Sequence, residues 1–209
     1  MSEKTQETLK VLAALLVSAV FCAICVNLCL YADLGSDSIT VFEDGLHEAF
    51  HVSVGTASWI YNAGVILIAL FTGRKHIGWT TFAFAIMEGF VIDIMDRWMA
   101  PVFNTGPSLL IRWIYVFLAI FCLGVSIALL VLYRNGMDGL DAICYGLAEK
   151  TKISYKWLRT AGDTTLLIAG YLLGGRVGLG SVPAVLLTGI TADALVRFLS
   201  KAGLGLKKA

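Results

Sequence analysis

The chain has 209 residues, of which 58% are hydrophobic and only 15% are charged, with a formal net charge of +1 and a mean hydropathy of +0.81. Soluble domains carry about 25% charged and about 45–50% apolar residues, so a soluble core could not bury this much apolar surface, whereas lipid covers it in a bilayer. The composition therefore predicts an integral membrane protein, and the near-zero net charge excludes a broad basic surface for nucleic acid.

Six segments are long and apolar enough to cross a membrane, which takes about 20 residues. In chain order they fall at about 9–31, 56–73, 77–97, 108–133, 157–174 and 178–199. Lys4 and Lys10 precede the first segment as in a signal peptide, but its apolar stretch from Val11 to Tyr31 exceeds the usual length of about 7–15 residues. No small-residue cleavage site follows, so we expect it to remain as the first span.

Two further segments, at about 37–50 and 138–150, are shorter and more polar. In the first, Ile39, Phe42 and Leu46 lie on one apolar helical stripe. A helix of about 13 residues is about 20 Å long, which does not cross a hydrocarbon core of about 30 Å. We therefore expect amphipathic helices that lie at the interface or enter the membrane as re-entrant half-helices.

The lysines and arginines agree with this layout. With six spans and the N-terminus inside, 13 of the 16 lie on the inner side, as the positive-inside rule expects. If both short segments also crossed, the distribution would be 12 against 4, so segment length, rather than charge, favours six spans. Both layouts place both termini on the cytoplasmic side.

The two halves of the chain are related by an offset of about 101 residues. The stretch LGSDSITVFEDGL at 34–46 aligns with NGMDGLDAICYGL at 135–147. The identities fall mainly on glycine and acidic residues, which a shared apolar bias would not select. The matched pairs are Gly35 with Gly136, Asp37 with Asp138, Gly45 with Gly146, Leu46 with Leu147, Glu48 with Glu149 and, after a one-residue slip, Gly89 with Gly189, Asp93 with Asp193 and Arg97 with Arg197.

Three crossings in each half place the second half upside down relative to the first. The sequence therefore predicts an all-α polytopic membrane protein with six transmembrane helices in two inverted three-helix repeats, at about 9–99 and 108–201. Each repeat carries one short amphipathic or re-entrant helix, and residues 1–209 form a single membrane domain. Eight spans would give a parallel repeat instead.

Ionisable groups inside a bilayer cost about 2.5–3.5 kcal/mol on insertion scales, so they are candidates for function. Glu88 lies midway along the 77–97 span. Asp163 lies inside a later span, and Asn62 occupies the corresponding position of the first half. Each is a candidate for binding a substrate or an ion, and the alternative for Glu88 is a structural group hydrogen-bonded inside the bundle.

Four more aspartates are candidates for binding a substrate or an ion. Asp93 and Asp193 lie near span ends, where a salt bridge to the arginine four residues further on is the alternative. Asp37 and Asp138 begin the short helices, where they either cap the helix or line a polar path between two half-helices. Acidic side chains would favour a cation or a proton there, whereas helix N-termini would favour an anion.

One motif suggests a metal site. His47, Glu48 and His51 fit the HExxH pattern, in which two histidines one helical turn apart bind zinc beside a general base. The third histidine of the chain, His76, lies on the opposite side in the predicted layout. We therefore expect no metal and no cofactor. The sequence also lacks phosphate-binding, nucleophile-elbow and dinucleotide motifs, which argues against an enzyme.

Two patterns of small residues predict packing. Cys22, Cys25 and Cys29 fall on one face of the first apolar helix, so they indicate packing rather than metal or redox chemistry. Gly170 and Gly174 form a GxxxG pattern, which is typical of helix contacts within a bundle or between the protomers of a homodimer.

The repeated GxDxxxxxxxGL element, with VGTASWIYNAGVIL and IGWTTFAFAIMEGFVID between its copies, resembles the YczE/YyaS/YitT-like bacterial membrane proteins. The similarity covers about 9–199. No soluble C-terminal domain follows the last span, so the chain is more similar to the YczE-like branch than to the YitT-type members. The resemblance implies a multi-pass protein of the bacterial cytoplasmic (inner) membrane, without implying a particular activity.

The leading hypothesis is a small secondary transporter or channel-like permease for a small solute, either cationic or proton-coupled. Its partners would be the lipid bilayer and that solute, with no nucleic acid. A second hypothesis is a non-transporting membrane scaffold or regulator of a partner protein, in which the acids form structural pairs. A third is an intramembrane zinc metalloprotease that uses the HExxH motif at 47–51.

Overall fold

The computed structural model of the protein describes residues 3–103, 108–133 and 136–205. Within these ranges the chain forms eight α-helices and one 3₁₀ turn at Arg74–His76. The α-helices are α1 (Glu3–Ala32), α2 (Ser38–Phe50), α3 (Val54–Thr72), α4 (Trp79–Phe103), α5 (Leu109–Tyr133), α6 (Gly139–Thr151), α7 (Tyr155–Leu172) and α8 (Ser181–Lys201). The predicted inner-side cations Arg134, Lys207 and Lys208, and Asn135 of the repeat, lie outside the described residues.

The all-α prediction is confirmed, and a helix covers each of the eight predicted segments. By length and composition, four helices of the described residues are candidate membrane spans, namely α1, α3, α5 and α8. Helices α4 and α7 have 25 and 18 residues but carry more charged groups, among them Glu88 and Asp93 in α4 and Lys156 and Arg159 in α7. The six-span count therefore stays a prediction.

The two short helices begin directly after their predicted aspartates. The Asp37 carboxylate accepts a hydrogen bond from Thr40 N at 3.4 Å, and Asp138 accepts one from Leu140 N at 3.3 Å. Each aspartate thus satisfies a backbone N–H that the first helical turn leaves free. Both α2 and α6 have 13 residues, so their length of about 20 Å falls short of a hydrocarbon core.

Helix α1 lies at the centre of the bundle, where it packs against α4 and α5. Leu15 and Ala19 are buried on α1 in one apolar cluster with Ile92 of α4. The Ser18 hydroxyl lies 2.8 Å from the Ser126 hydroxyl of α5, inside the same interface. Small and polar groups of this kind hold helices together where lipid provides no hydrophobic drive. The three cysteines of α1 are buried as free thiols, as the packing prediction requires.

Each short helix packs on a long helix of the other half. Helix α2 lies against α7, where Gly45 and Gly170 bring the backbones together, and α6 lies against α3, where Gly146 meets Gly73. A methyl group at any of these four positions would collide with the facing backbone, so glycine is what permits the approach. Gly170 of the GxxxG pattern therefore makes a contact within the bundle.

The outward faces of α3, α5 and α8 are largely apolar. On α8, for example, Val182, Leu186 and Ile190 are each more than half exposed and follow one another at i, i+4 and i+8. A continuous apolar stripe of this kind is unusual on a soluble monomer. It is what a lipid-facing helix requires, because the bilayer is as apolar as the side chains.

Candidate functional site: an acidic cavity

An internal cavity of about 740 Å³ lies among the helices, and all eight α-helices of the described residues contribute to its wall. Six carboxylic acids line it, namely Asp37, Glu43, Glu88, Asp138, Asp141 and Asp163. Among the described residues of its wall, Arg159 is the single Lys, Arg or His. We call this space the acidic cavity.

Five of the seven predicted binding residues line the acidic cavity. They are Glu88, Asp163, Asn62, Asp37 and Asp138. The first three come from long helices, whereas the two caps bring the N-termini of α2 and α6 to the same space. Residues that are far apart in the sequence and belong to both halves thus share one site.

Glu88 receives hydrogen bonds from two neighbouring helices. Asn62 of α3 donates from Nδ2 to Glu88 Oε2 at 2.9 Å, and Cys22 of α1 donates from Sγ to Glu88 Oε1 at 3.1 Å. The Ser58 hydroxyl of α3 lies 3.5 Å from the same Oε2. The carboxylate is thereby held at the junction of α1, α3 and α4, with its position fixed from two sides.

Glu43 is a cavity residue that the sequence analysis missed. It is 2% exposed, and it lines the acidic cavity together with Glu88. The sequence does contain a signal for its burial, because Glu43 lies four residues after Ile39 and three before Leu46. It therefore belongs to the apolar helical stripe that faces the protein.

Arg159 pairs with two of the six carboxylates and offsets one of their two charges. Its guanidinium donates from Nη1 to Asp141 Oδ1 and, at 3.0 Å, from Nε to Asp163 Oδ2. The other Asp163 oxygen accepts from the Ser38 hydroxyl of α2 at 2.8 Å. Arg159 is one of the 13 lysines and arginines predicted on the inner side; in the structure it lies in the cavity wall and links α6 to α7.

Asp93 and Asp193 lie outside the acidic cavity wall. Their binding role stays a prediction. The alternative, a salt bridge to the arginine four residues further on, is not formed by Asp93, whose carboxylate instead accepts from Ser53 Oγ at 2.7 Å and from Gly55 N at 2.8 Å. These bonds cap the start of α3. For the Asp93 carboxylate, the first turn of a helix is a more rigid partner than a long arginine side chain. Asp193 is exposed and has neither a hydrogen bond nor an ion pair within the described ranges, so its pair with Arg197 is not formed.

The HExxH residues are not arranged as a zinc site. Helix α2 ends at Phe50, and His51 has a left-handed backbone with φ 53°, so the two histidines do not lie on one continuous helix. His47 Nδ1 lies 2.5 Å from Val52 O, and Glu48 lies 3.7 Å from Arg176. In the part of the chain that the structure describes, no three metal-ligating side chains converge.

Arg176 serves a structural role in the loop between α7 and α8. Its Nη2 donates to Asp44 Oδ1 at 2.7 Å, and its backbone N donates to Asp44 Oδ2 at 2.8 Å. Hydrogen bonding to the buried Asp44 carboxylate raises the pKa of the Arg176 guanidinium above its ordinary value. This charged clamp fastens α2 to the end of α7 and lies outside the acidic cavity wall.

The fold and site together define an all-α, multi-pass membrane protein with a cavity among its helices that is lined by ionisable side chains. The chain belongs to the family of unknown function DUF6198, whose model matches residues 9–197. It is similar to an uncharacterized protein of Haemophilus influenzae, with 25% identity over 156 residues, which covers 75% of this chain and 69% of that protein.

The chain is also similar to the uncharacterized membrane protein YczE of Bacillus subtilis, with 27% identity over 160 residues, which covers 75% of this chain and 71% of that protein. No solved structure matches the chain. The resemblance to YczE-like membrane proteins that the sequence indicates is thus confirmed.

Proposed function

We propose that this protein is a small secondary transporter or channel-like permease that moves a cationic or proton-coupled solute across the bacterial cytoplasmic membrane. The observation that carries the proposal is the convergence of six carboxylic acids and one arginine on a single cavity formed by both halves of the chain. Ionisable groups are costly at membrane depth, and they mark solute and proton pathways when they face a bundle interior.

The presence of Glu43 and Glu88 in one cavity supports the choice of a cation or a proton. Both side chains line the acidic cavity, one from α2 and the other from α4. Two carboxylates inside one cavity of low polarity repel each other unless a proton or a cation compensates their charge. A solute that brings positive charge, or a proton that arrives in its place, would relieve this repulsion.

The recurrence of contacts in the two halves supports an inverted repeat. Gly35 abuts the backbone of Gly178, and its counterpart Gly136 abuts the backbone of Gly78. Each short helix also packs on the long helix of the other half. Transporters built from inverted repeats place the substrate between the repeats, and in our proposal the acidic cavity takes that place. The proposed orientation puts both termini in the cytoplasm.

The test is proton or solute flux in proteoliposomes with Glu88→Gln. This substitution removes the charge and keeps the size of the side chain, and its remaining carbonyl oxygen can still accept from Asn62, so flux should stop while the protein stays folded. The matched control is Glu149→Gln, because Glu149 is partly exposed on α6 and pairs with Lys75 Nζ at 2.7 Å outside the cavity. Transport by Glu88→Gln at the wild-type rate would contradict the proposal.

The scaffold hypothesis makes the opposite prediction for the same variant. If the acids are only structural pairs, Glu88→Gln should lower the thermal stability without a flux to lose. Wild-type proteoliposomes that carry no flux of any cation or proton would favour that alternative.

A further inference from the structure

The surroundings of Tyr61 bear on which kind of ligand the acidic cavity would bind. This α3 residue lines the acidic cavity and is only 5% exposed. Its hydroxyl is buried and has no hydrogen-bond partner among the described residues. A buried hydroxyl without a partner costs about 1–3 kcal/mol, so a bound ligand is a natural partner for it.

The surroundings of this hydroxyl favour a ligand that donates hydrogen bonds. Glu43, Glu88 and Asp138 line the same cavity as Tyr61, together with Arg159. The guanidinium is already engaged by two aspartates of the cavity. An anion would therefore meet mostly negative charge, whereas an ammonium group could donate N–H bonds both to a carboxylate and to the Tyr61 oxygen.

The rest of the wall favours an organic ligand over a metal ion. The α5 side of the cavity is mainly apolar, with Leu123, Ile127 and Leu130 on its surface. A volume of about 740 Å³ is typical of pockets for organic molecules. Across the described residues, no three metal-ligating side chains come together. An apolar wall opposite an acidic one matches a molecule with a charged end and a hydrocarbon end.

An aromatic pair at the α6–α7 end of the cavity also favours a cationic ligand. Tyr145 and Tyr155 are stacked with ring centroids 4.3 Å apart, and both line the cavity. Tyrosine faces attract cations through the ring quadrupole. Along its path a cationic ligand would thus meet a favourable surface beyond the carboxylates.

We propose that the acidic cavity binds a protonated organic amine, whose N–H groups are bound by Glu43, Glu88 and the Tyr61 hydroxyl, and whose apolar part lies against α5. This inference rests on the proposed function, since it names the solute class for the same cavity. It requires N–H donors, so it separates primary amines from quaternary ammonium ions of equal charge.

The experiment is equilibrium binding to purified protein in detergent, measured by calorimetry and by thermal shift. The probes are butylammonium, 1,4-butanediammonium, butyltrimethylammonium and butyrate. We expect either primary amine to bind at least about tenfold more tightly than the quaternary ion, since hydrogen bonds to charged groups are the strong ones. Butyrate should not bind. Failure of both primary amines to bind, or equal binding of butyrate, would overturn the proposal.

The variant Tyr61→Phe isolates the role of the hydroxyl. It should weaken primary amine binding about tenfold and leave the quaternary ion unaffected. Without ligand, its melting temperature should be unchanged or higher, because an unpartnered hydroxyl is removed, whereas a structural role would lower it. Tyr171→Phe is the matched control, since Tyr171 is 65% exposed and lies outside the cavity wall. Wild-type amine affinity in Tyr61→Phe would overturn the assignment.

Binding and flux can fail separately. If primary amines bind as expected but no flux is seen in proteoliposomes, the amine site stands and the transport proposal fails. If the protein carries inorganic cations or protons and binds no amine, transport stands and the amine site is overturned.

Discussion

Helices α3 and α4 of the first half are packed tightly, whereas the corresponding helices α7 and α8 of the second half are not. In the first half, Gly55 lies against the backbone of Gly89, and the Trp59 indole N–H donates to Ile86 O at 3.1 Å. Asp93 closes the end of this interface by capping α3. Backbone contact, an aromatic hydrogen bond and a charged cap thus act together.

The second half lacks all three contacts. A methyl group on Gly189 would meet nothing within 4 Å, and Asp193 is exposed. Ser154 begins α7 without a side-chain cap. Within the described ranges, α7 and α8 share no extended packing. Part of the reason is local, because Lys156 stands where the first half has Gly55, and its side chain prevents the same close approach.

In the proposed function, this difference places the entrance to the acidic cavity between α7 and α8. Residues of α7 such as Arg159 and Asp163 share its wall with Val185 and Thr188 of α8, although these two helices share no extended packing. A solute would then enter between α7 and α8, while the packing of α3 on α4 would block the corresponding route. In an inverted repeat, the two halves can exchange such arrangements by rocking around a fixed site. A permanent gap would instead describe a channel-like pore.

Disulfide trapping gives the largest expected contrast between the α3–α4 seam and the α7–α8 seam, that is, between the facing sides of each helix pair. In Ser53→Cys/Asp93→Cys, the cysteines replace groups in contact at 2.7 Å, so oxidation should crosslink this pair faster and more completely than the corresponding pair of the second half. In Ser154→Cys/Asp193→Cys, crosslinking should be slow and should stop flux as it proceeds. The five native cysteines are buried, which limits side reactions.

The outcome also separates the two forms of the proposed function. Slow crosslinking that is faster in the presence of the transported solute favours a carrier that closes α7 onto α8. No crosslinking at all, with flux intact, favours a channel-like permease. Fast and complete crosslinking of both pairs would show that the two seams are alike and that the comparison is wrong.

A matched pair of glycine substitutions should give the next largest effect. Gly89→Leu forces a side chain against the Trp59 indole and the Gly55 carbonyl, so we expect a loss of about 3 kcal/mol. Gly189→Leu enters open space, where a leucine also favours the helix, and should cost close to nothing. Thermal unfolding in one detergent measures both. Equal losses at the two positions would show that α8 packs as closely as α4.

The helices and much of the cavity could be predicted from the sequence for a physical reason. Carboxylates inside apolar segments are so costly in lipid that their presence alone identifies them, which led to Glu88 and Asp163. Asp37 and Asp138 were identifiable because a repeated glycine–aspartate element begins each short helix. In these cases the signal is local to one segment or to one alignment.

The missed features depend on packing between distant segments. The role of Glu43 follows from which face of α2 meets α3 and α7, and that of Arg159 follows from the approach of α6 to α7. Asp93 shows the same limit, since the helical i+4 rule predicts Arg97 as its partner, whereas the partner Ser53 lies 40 residues away. Rules based on residue spacing within one helix do not predict such contacts, because they contain no information on how distant segments pack together.

The smallest expected contrast concerns the two repeat-related aspartates. Asp93→Ala removes two hydrogen bonds that cap α3, so it should lower the free energy of unfolding by about 1–2 kcal/mol. Asp193→Ala removes an exposed carboxylate without a partner in the described residues and should change stability by less than about 0.5 kcal/mol.

Flux gives the second readout for this pair. Suppose that α7 packs against α8 during transport in the way that α3 packs against α4 in the structure. Asp193 would then accept a hydrogen bond from Ser154, as Asp93 accepts one from Ser53 here. Asp193→Ala should then slow flux although it leaves the resting stability intact. Normal flux with Asp193→Ala would show that transport does not need a hydrogen bond between Ser154 and Asp193. The α7–α8 and α3–α4 helix pairs would then resemble each other in sequence but not in this contact.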